Sequence, residues 1–435
     1  MLLSGWGRYP RAQGRPTRAA DTDGARTALA AARSDGGMIA RGLGRSYGDS
    51  ALGGRVLETA ALDRFRAFDP ASGTVTCEAG VSIADLLRVF LPRGWFPPVT
   101  PGTKHVSIGG AIASDVHGKN HHGAGSFSDH VQAIEILLAD GSVVVASRER
   151  HADLFAATCG GMGLTGVILA ATLRLMPVAS GMIRARTLKA GNLDACLDLF
   201  AEHSAATYSV AWIDCLARGD ALGRSLVMLG EHAGGGGVPR PARPRLSLPF
   251  DLPGALLNRA TMKAFNALYY RRVRTPDRTA IVPCEPYFYP LDGIGGWNRA
   301  YGSSGFLQYQ FVLPKAAGRD ALAAILARIA DSGRGSFLAV LKAFGPGNAN
   351  PLSFPMEGYT LALDFPVRDD VFALLDRLDD MVVAHGGRLY LAKDARMSAA
   401  TFRASYPRWE TFQEVRARYG ALGVFRSLQS DRLGL

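Results

Sequence analysis

Cysteine is scarce and unpatterned in this 435-residue chain: Cys77, Cys159, Cys196, Cys215 and Cys284 stand at wide, irregular spacing. An odd number so placed offers no disulfide framework and reads as reduced, structural thiols. Long apolar runs are missing too. The opening MLLSGWGRYPRAQGR has no core for a signal peptide, and no continuous span reaches membrane length. The chain is therefore expected in the cytoplasm, with peripheral contact at the inner membrane face left open. Acid is in deficit, with 38 Asp and Glu against 49 Lys and Arg, a net charge of +11 and a pI near 9.6. That excess suits a phosphate-bearing cofactor or substrate, or an acidic membrane surface. Nucleic acid is not expected, since no nucleic-acid motif accompanies the charge. Apolar residues are plentiful at 48%, enough for two domains or one large two-lobed one.

Two glycine-rich stretches stand out, ARGLGRSYGDS at Ala40 to Ser50 and PPVTPGTKHVSIGGAIASDVHGKNHH at Pro97 to His122. Glycines let a backbone approach a ligand closely, and exposed amides in such turns hold anions. Around them, short strands are expected at 56–60, 65–68 and 75–78, a helix at 83–91, and a hairpin about Asp140-Gly141. Gly161, Gly163 and Gly166 satisfy GxGxxG, the dinucleotide fingerprint. The context contradicts it: a helix precedes, a strand follows, and Arg184 to Arg186 stand where an acid is required.

Beyond Met182 the character changes. Between Arg240 and Arg274 there are eight Lys or Arg residues and one acid, Asp251, interleaved with leucines and phenylalanines. Composition leaves two readings open, a solvated insertion or a basic, apolar surface for a membrane and its lipid phosphate. From Phe306 to Ala392 the pattern reads βαββαβ, a split βαβ unit forming an antiparallel sheet with helices on one face. No internal repeat is expected. Gln308 and Gln310 alternate on one strand and so share a face, where paired amides suit sugar hydroxyls. His117, His121 and His122 near Asp115 do not have zinc spacing, so no metal is expected.

GLGRSYGD, PGTKHVSIGGAIASDVHGKNHH and RLYLAKD at Arg388 to Asp394, in this order, resemble the decaprenylphosphoryl-β-D-ribose 2'-oxidase group of vanillyl-alcohol-oxidase (PCMH-type) flavoproteins. The resemblance runs over nearly the whole chain. It implies an α+β fold with a PCMH-type FAD-binding domain (1–180), a substrate domain (181–387) with an insertion at about 230–274, and a C-terminal segment (388–435) returning to the FAD lobe. It assigns the cofactor to Arg41, Gly42, Gly44, Arg45, Ser46, Tyr47, Gly48 and Asp49 of the first loop. In the second it assigns Pro101, Gly102, Thr103, Ser107, Gly109, Gly110, Ala113, His117, Gly118 and Asn120, and beyond it Gly161, Gly163, Gly166, Val167 and Lys393. Where several relatives of the wider superfamily carry a flavin-linking histidine this chain has Arg45, which implies non-covalent FAD.

Oxidising a secondary alcohol on a flavin moves a hydride to the cofactor and the hydroxyl proton to a base. The resemblance implies Lys393, His117 and Tyr390 for that chemistry, and Lys119, Trp212, Tyr301, Gln308, Gln310, Lys342 and Phe344 for substrate. It further implies a polyprenyl-phosphate pentose as substrate and an NAD(P)H-dependent short-chain reductase as partner in an epimerisation to arabinose. Thr360 and Ala362 replace the Asn and Cys of some relatives, which loosens the identity of the sugar. The alternatives are an oxidase of a soluble sugar, aldonolactone or alditol, and a flavin-free membrane-associated binding protein.

Overall fold

The computed structural model describes residues 1–238 and 246–435. Residues 239–245, the arginine-rich part of the expected insertion, lie outside the described residues.

The first glycine-rich loop joins two strands of a small parallel sheet. β1 (Arg15–Arg18), α1 (Thr22–Arg33), β2 (Ile39–Arg41) and β3 (Arg55–Glu58) build this sheet in the order β1-β3-β2. α1 begins where Asp21 Oδ1 accepts from Gly24 N at 2.7 Å, and it buries Ala25, Leu29 and Ala32 along one stripe. Next come β4 (Phe65–Asp69), β5 (Thr74–Glu78), α2 (Ile83–Phe90), α3 (Ile108–Ala113), β6 (Val131–Leu137), β7 (Val143–Ser147), α4 (Ala152–Thr158) and β8 (Val167–Arg174). Their five strands form an antiparallel sheet ordered β7-β6-β8-β5-β4. The β6–β7 hairpin turns at Asp140-Gly141, with Gly141 at φ +90°.

The second lobe holds a repeat that the sequence conceals. β9 (Met182–Ala190), α5 (Leu193–Glu202), β10 (Tyr208–Ile213), β11 (Ser225–His232), α6 (Arg259–Arg271) and β12 (Asp277–Pro283) form one βαββαβ unit. β13 (Phe306–Pro314), α7 (Gly318–Ser332), β14 (Ala339–Phe344), β15 (Gly358–Pro366), α8 (Asp369–Ala384) and β16 (Arg388–Leu389) form the expected one. They fuse into one eight-stranded antiparallel sheet, β12-β9-β11-β10-β14-β15-β13-β16, in which each half carries the same internal order. The seam is β10 against β14, where Trp212 faces Val340. Period-two alternation then sorts the side chains. Leu341, Leu361, Leu363 and Phe311 join Ile325 of α7 and Leu378 of α8 in the main core, while Lys342, Ala362, Gln308 and Gln310 line a cavity on the other face.

The last strand is shorter than the pattern suggests. It stops at Leu389, and Tyr390 precedes a single 3₁₀ turn, Leu391–Lys393, closed by Lys393 N–H on the Tyr390 carbonyl at 2.9 Å. Strand alternation therefore does not set the direction of Tyr390. Further on, Phe425 packs with Leu29 and Met38 of the first lobe, and the buried Arg416 donates to the Leu164 and Phe425 carbonyls at 3.0 and 2.9 Å.

Candidate active site

Between the lobes lies a cavity of about 350 Å³. The first glycine loop forms one wall because three neighbours hold its backbone: Trp6 N–H donates to the Ser46 carbonyl at 2.7 Å and Tyr47 N–H to the Ala392 carbonyl at 3.0 Å, while Gly48 packs against the Asp394 carbonyl. A Cβ at Gly48 would lie 1.9 Å from that oxygen, so only glycine fits. The second loop forms the facing wall. Ser107 accepts from Gly110 N at 3.3 Å to start α3, and Asp292 accepts from Thr103 Oγ1 at 2.8 Å and Lys104 N at 2.9 Å.

Seventeen of the 23 positions assigned to the cofactor line this cavity: Gly42 and Gly44 to Tyr47, Pro101 to Thr103, Ser107, Gly109, Gly110, Ala113, His117, Gly118, Gly163, Gly166 and Lys393. The other six stand behind it. Arg41 donates to the Ser4 and Ala51 carbonyls. Gly48 is against Asp394, and Asp49 pairs with Arg432 at 2.8 Å. Asn120 Nδ2 donates to the Pro98 carbonyl at 2.8 Å. Gly161 packs on Ala157, and Val167 sits in the core beside Leu169. Lys119, Trp212, Gln308, Gln310 and Lys342 also line the cavity. Tyr301 and Phe344 do not. Tyr301 stacks on Phe306 at 4.2 Å and donates to Asp364; Phe344 packs on His117 at 4.7 Å and His121 at 4.5 Å.

Positive charge is in excess here. Lys119, Lys342 and Lys393 are half-buried and turned to the cavity. They are lowered to about 7, about 8 and about 7, chiefly by burial, with Lys342 contributing to the lowering of the other two. Lys393 Nζ sits 3.8 Å over the Tyr47 ring. His117, buried, is held well below its usual range by desolvation and then by Lys342. Its Nε2 lies 3.0 Å from Gln310 Nε2 and its Nδ1 3.5 Å from Lys342 Nζ. The Tyr390 ring flanks it at 5.4 Å, but the Tyr390 hydroxyl is committed to the Ser114 carbonyl at 2.8 Å.

The walls fit a flavin nucleotide. Gly42 lets the backbone come against Ser107, where a Cβ would meet Oγ at 2.1 Å, and Arg45, stacked on Trp6 at 4.0 Å, keeps a buried Nε with no partner. Such amides and an unpaired guanidinium nitrogen are what a phosphate takes up. No group of metal-ligating residues occurs among the described residues, and no described helix is long and apolar enough to cross a membrane.

Sequence reasoning missed Asp364, a fully buried carboxylate beside Gln308, and Asp292. It also missed the apolar lining residues Met228, Tyr269, Phe288, Leu338 and Val340. The signal for Asp364 was present: in TLALDFP it alternates with Thr360 and Ala362, so it shares their face.

Comparison with known proteins accords with this geometry. A family described as FAD binding domain matches residues 17–147. Decaprenylphosphoryl-beta-D-ribose oxidase of Mycolicibacterium smegmatis is 41% identical across all of this chain and 97% of its own length. An alditol oxidase of a Streptomyces species is 28% identical across 91% of this chain and 90% of its own. FAD is the cofactor and the protein is an FAD-dependent oxidoreductase with an α+β, PCMH-type fold. At 41% identity over its full length, the chain belongs to the decaprenylphosphoryl-β-D-ribose oxidase family.

Proposed function

We propose that this enzyme oxidises the 2'-hydroxyl of a polyprenyl-phosphate-linked pentose to the 2'-keto sugar. The observation that carries the reading is the one cavity that joins two glycine loops and Lys393 to Lys119, Lys342 and the apolar side chains of Trp212, Tyr269, Leu338 and Val340. A flavin, a sugar phosphate and the start of a prenyl chain need those surfaces in one cavity. Bound FAD supplies the two-electron acceptor for the hydride. Lys393 holds negative charge at the flavin, Gln308 and Gln310 orient the sugar, and Lys119 with Lys342 holds its phosphate. The proton leaving the hydroxyl is taken by His117, whose imidazole burial keeps uncharged. Tyr390 positions His117 through its ring, since its hydroxyl is already engaged. Non-covalent FAD follows from Arg45 at the flavin-linking position.

The keto product requires a hydride donor to complete epimerisation to arabinose, the work of a separate NAD(P)H-dependent reductase in cell-envelope synthesis. Peripheral contact with the inner membrane face is supported by α6 and its approach, where Leu246, Phe250, Leu256, Phe265 and Leu268 are exposed among arginines. A second reading, alditol oxidation, is favoured by the small wall residue Ala362 opposite Gln310. The test is turnover of polyprenyl-phosphoryl ribose and of soluble alditols under one set of conditions, with mass analysis for loss of two hydrogens. Product from the lipid-linked sugar alone supports the proposal. Product from alditols alone overturns it.

A further inference from the structure

Asp364 sits on β15 across from Gln308 of β13 and exposes no surface. Its Oδ1 accepts from Gln308 Nε2 at 2.6 Å, its Oδ2 from the Tyr301 hydroxyl at 3.1 Å, and its own N–H donates to Ser336 Oγ at 3.1 Å. Gln308 lines the same cavity as Lys393, whose Nζ sits 3.8 Å over the ring of Tyr47, itself edge-on to Phe306 at 5.4 Å. Tyr301, Asp364 and Gln308 thus form one hydrogen-bonded group among Phe306, Phe337 and Trp297, with Tyr47 and Lys393 on the other side of Phe306. Neutral donors alone do not repay burial of a carboxylate; a cation facing it does. Burial raises the Asp364 carboxyl to about 7, and Lys393, which lines the cavity with Gln308, is the cation that opposes this rise; Asp364 in turn favours the charge of Lys393 while Lys342 opposes it. Arg45 and Asp292 line the cavity with Tyr47, Arg45 favouring ionisation of its hydroxyl and Asp292 opposing it.

We propose that Asp364 is the counter-ion that keeps Lys393 protonated and in place, a positioning residue for the oxidation that touches neither substrate nor flavin. The inference rests on the role of Lys393 given above. With Asp364 removed, Lys393 would face Lys342 uncompensated and lose its proton at lower pH. A neutral amine cannot hold the negative charge that reduction brings.

The experiment is Asp364→Asn on the FAD-loaded enzyme, following anaerobic flavin reduction by polyprenyl-phosphoryl ribose against pH and the flavin midpoint potential by dye equilibration. The alkaline limb is expected to move down by about one pH unit, with reduction at neutral pH about tenfold slower and a more negative potential. Asp364→Glu should restore both. In a Lys393→Arg background, whose guanidinium stays charged, Asp364→Asn should leave the limb where it was. A wild-type limb and potential in Asp364→Asn overturn the inference. If that variant does not hold FAD, Tyr301→Phe decides: loss of one bond to the carboxylate must shift the limb the same way by less, and no shift overturns it. Lys393→Met reducing as fast as wild type would refute the role of Lys393 itself. A slow Lys393→Met beside an unshifted Asp364→Asn would refute only the part given to Asp364.

Discussion

Asp115 is one of the points at which the two lobes are tied together, and Asp115→Ala is expected to loosen the whole site from behind. The carboxylate is fully buried and accepts from Ser128 N at 3.0 Å, Asn348 Nδ2 at 2.8 Å, Asn350 Nδ2 at 3.4 Å and Ser353 Oγ at 2.6 Å. Three of these donors come from the 345–356 loop of the second lobe, whose Phe354 stacks on Tyr390 at 4.6 Å and flanks His117 at 5.7 Å. Hydrogen bonds to a charged group are worth about 1.5–3 kcal/mol each and are not additive. Stranding several buried donors costs about 3–5 kcal/mol in all, the range for breaking a buried charged network. Asp115 also sits at φ +38°, which alanine tolerates poorly, whereas asparagine is suited to it. Unfolding entropy is about 2.1 cal/mol/K per residue, so for a chain of this length about 1 kcal/mol moves Tm by about 1 °C. Asp115→Ala should therefore lower Tm by about 3–5 °C, and Asp115→Asn by about half that. Differential scanning calorimetry of both FAD-loaded variants measures it. A Tm within 1 °C of wild type for Asp115→Ala would refute this view of the network.

Gly42→Ala should reduce FAD retention at least tenfold, because its Cβ would displace Ser107 Oγ, the group that starts α3; absorbance after gel filtration reports it. At pH 8.5, Lys119 and Lys342, lowered by burial to about 7 and about 8, are largely neutral. A short isoprenyl phosphate restores their charge, so its binding should take up protons at pH 8.5 and none at pH 6, as read by calorimetry in buffers of different ionisation enthalpy. Trp212 packs on Tyr269 at 4.6 Å and is pinned by its indole N–H on the Phe337 carbonyl at 3.0 Å. Trp212→Ala should raise KM for long-chain polyprenyl-phosphoryl ribose about tenfold with little change in kcat, the mark of lost uniform binding.

The glycine loops and the second βαββαβ unit were legible because their signals are local: closely spaced glycines, and helical periods set between alternating strands. The first unit was not, because a stretch of 44 residues separates β11 at His232 from β12 at Asp277 and hides the pattern that its twin shows. Arg41 and Asp49 carry the same motif as their cavity-lining neighbours, yet bond backwards to Ser4 and Arg432. Sequence spacing does not tell which side of a loop a residue serves. Asp364 escaped notice because an acid in an apolar strand reads as an edge residue; its meaning depends on Gln308, 56 positions away and directly opposite.

The most direct measurement is anaerobic bleaching of the bound flavin in a stopped-flow instrument, with polyprenyl-phosphoryl ribose, free ribose and an alditol offered separately. Rapid loss of the flavin bands with the lipid-linked sugar alone is the expected result. Bleaching by the alditol and not by the lipid-linked sugar would contradict the proposed substrate and leave the flavin chemistry standing.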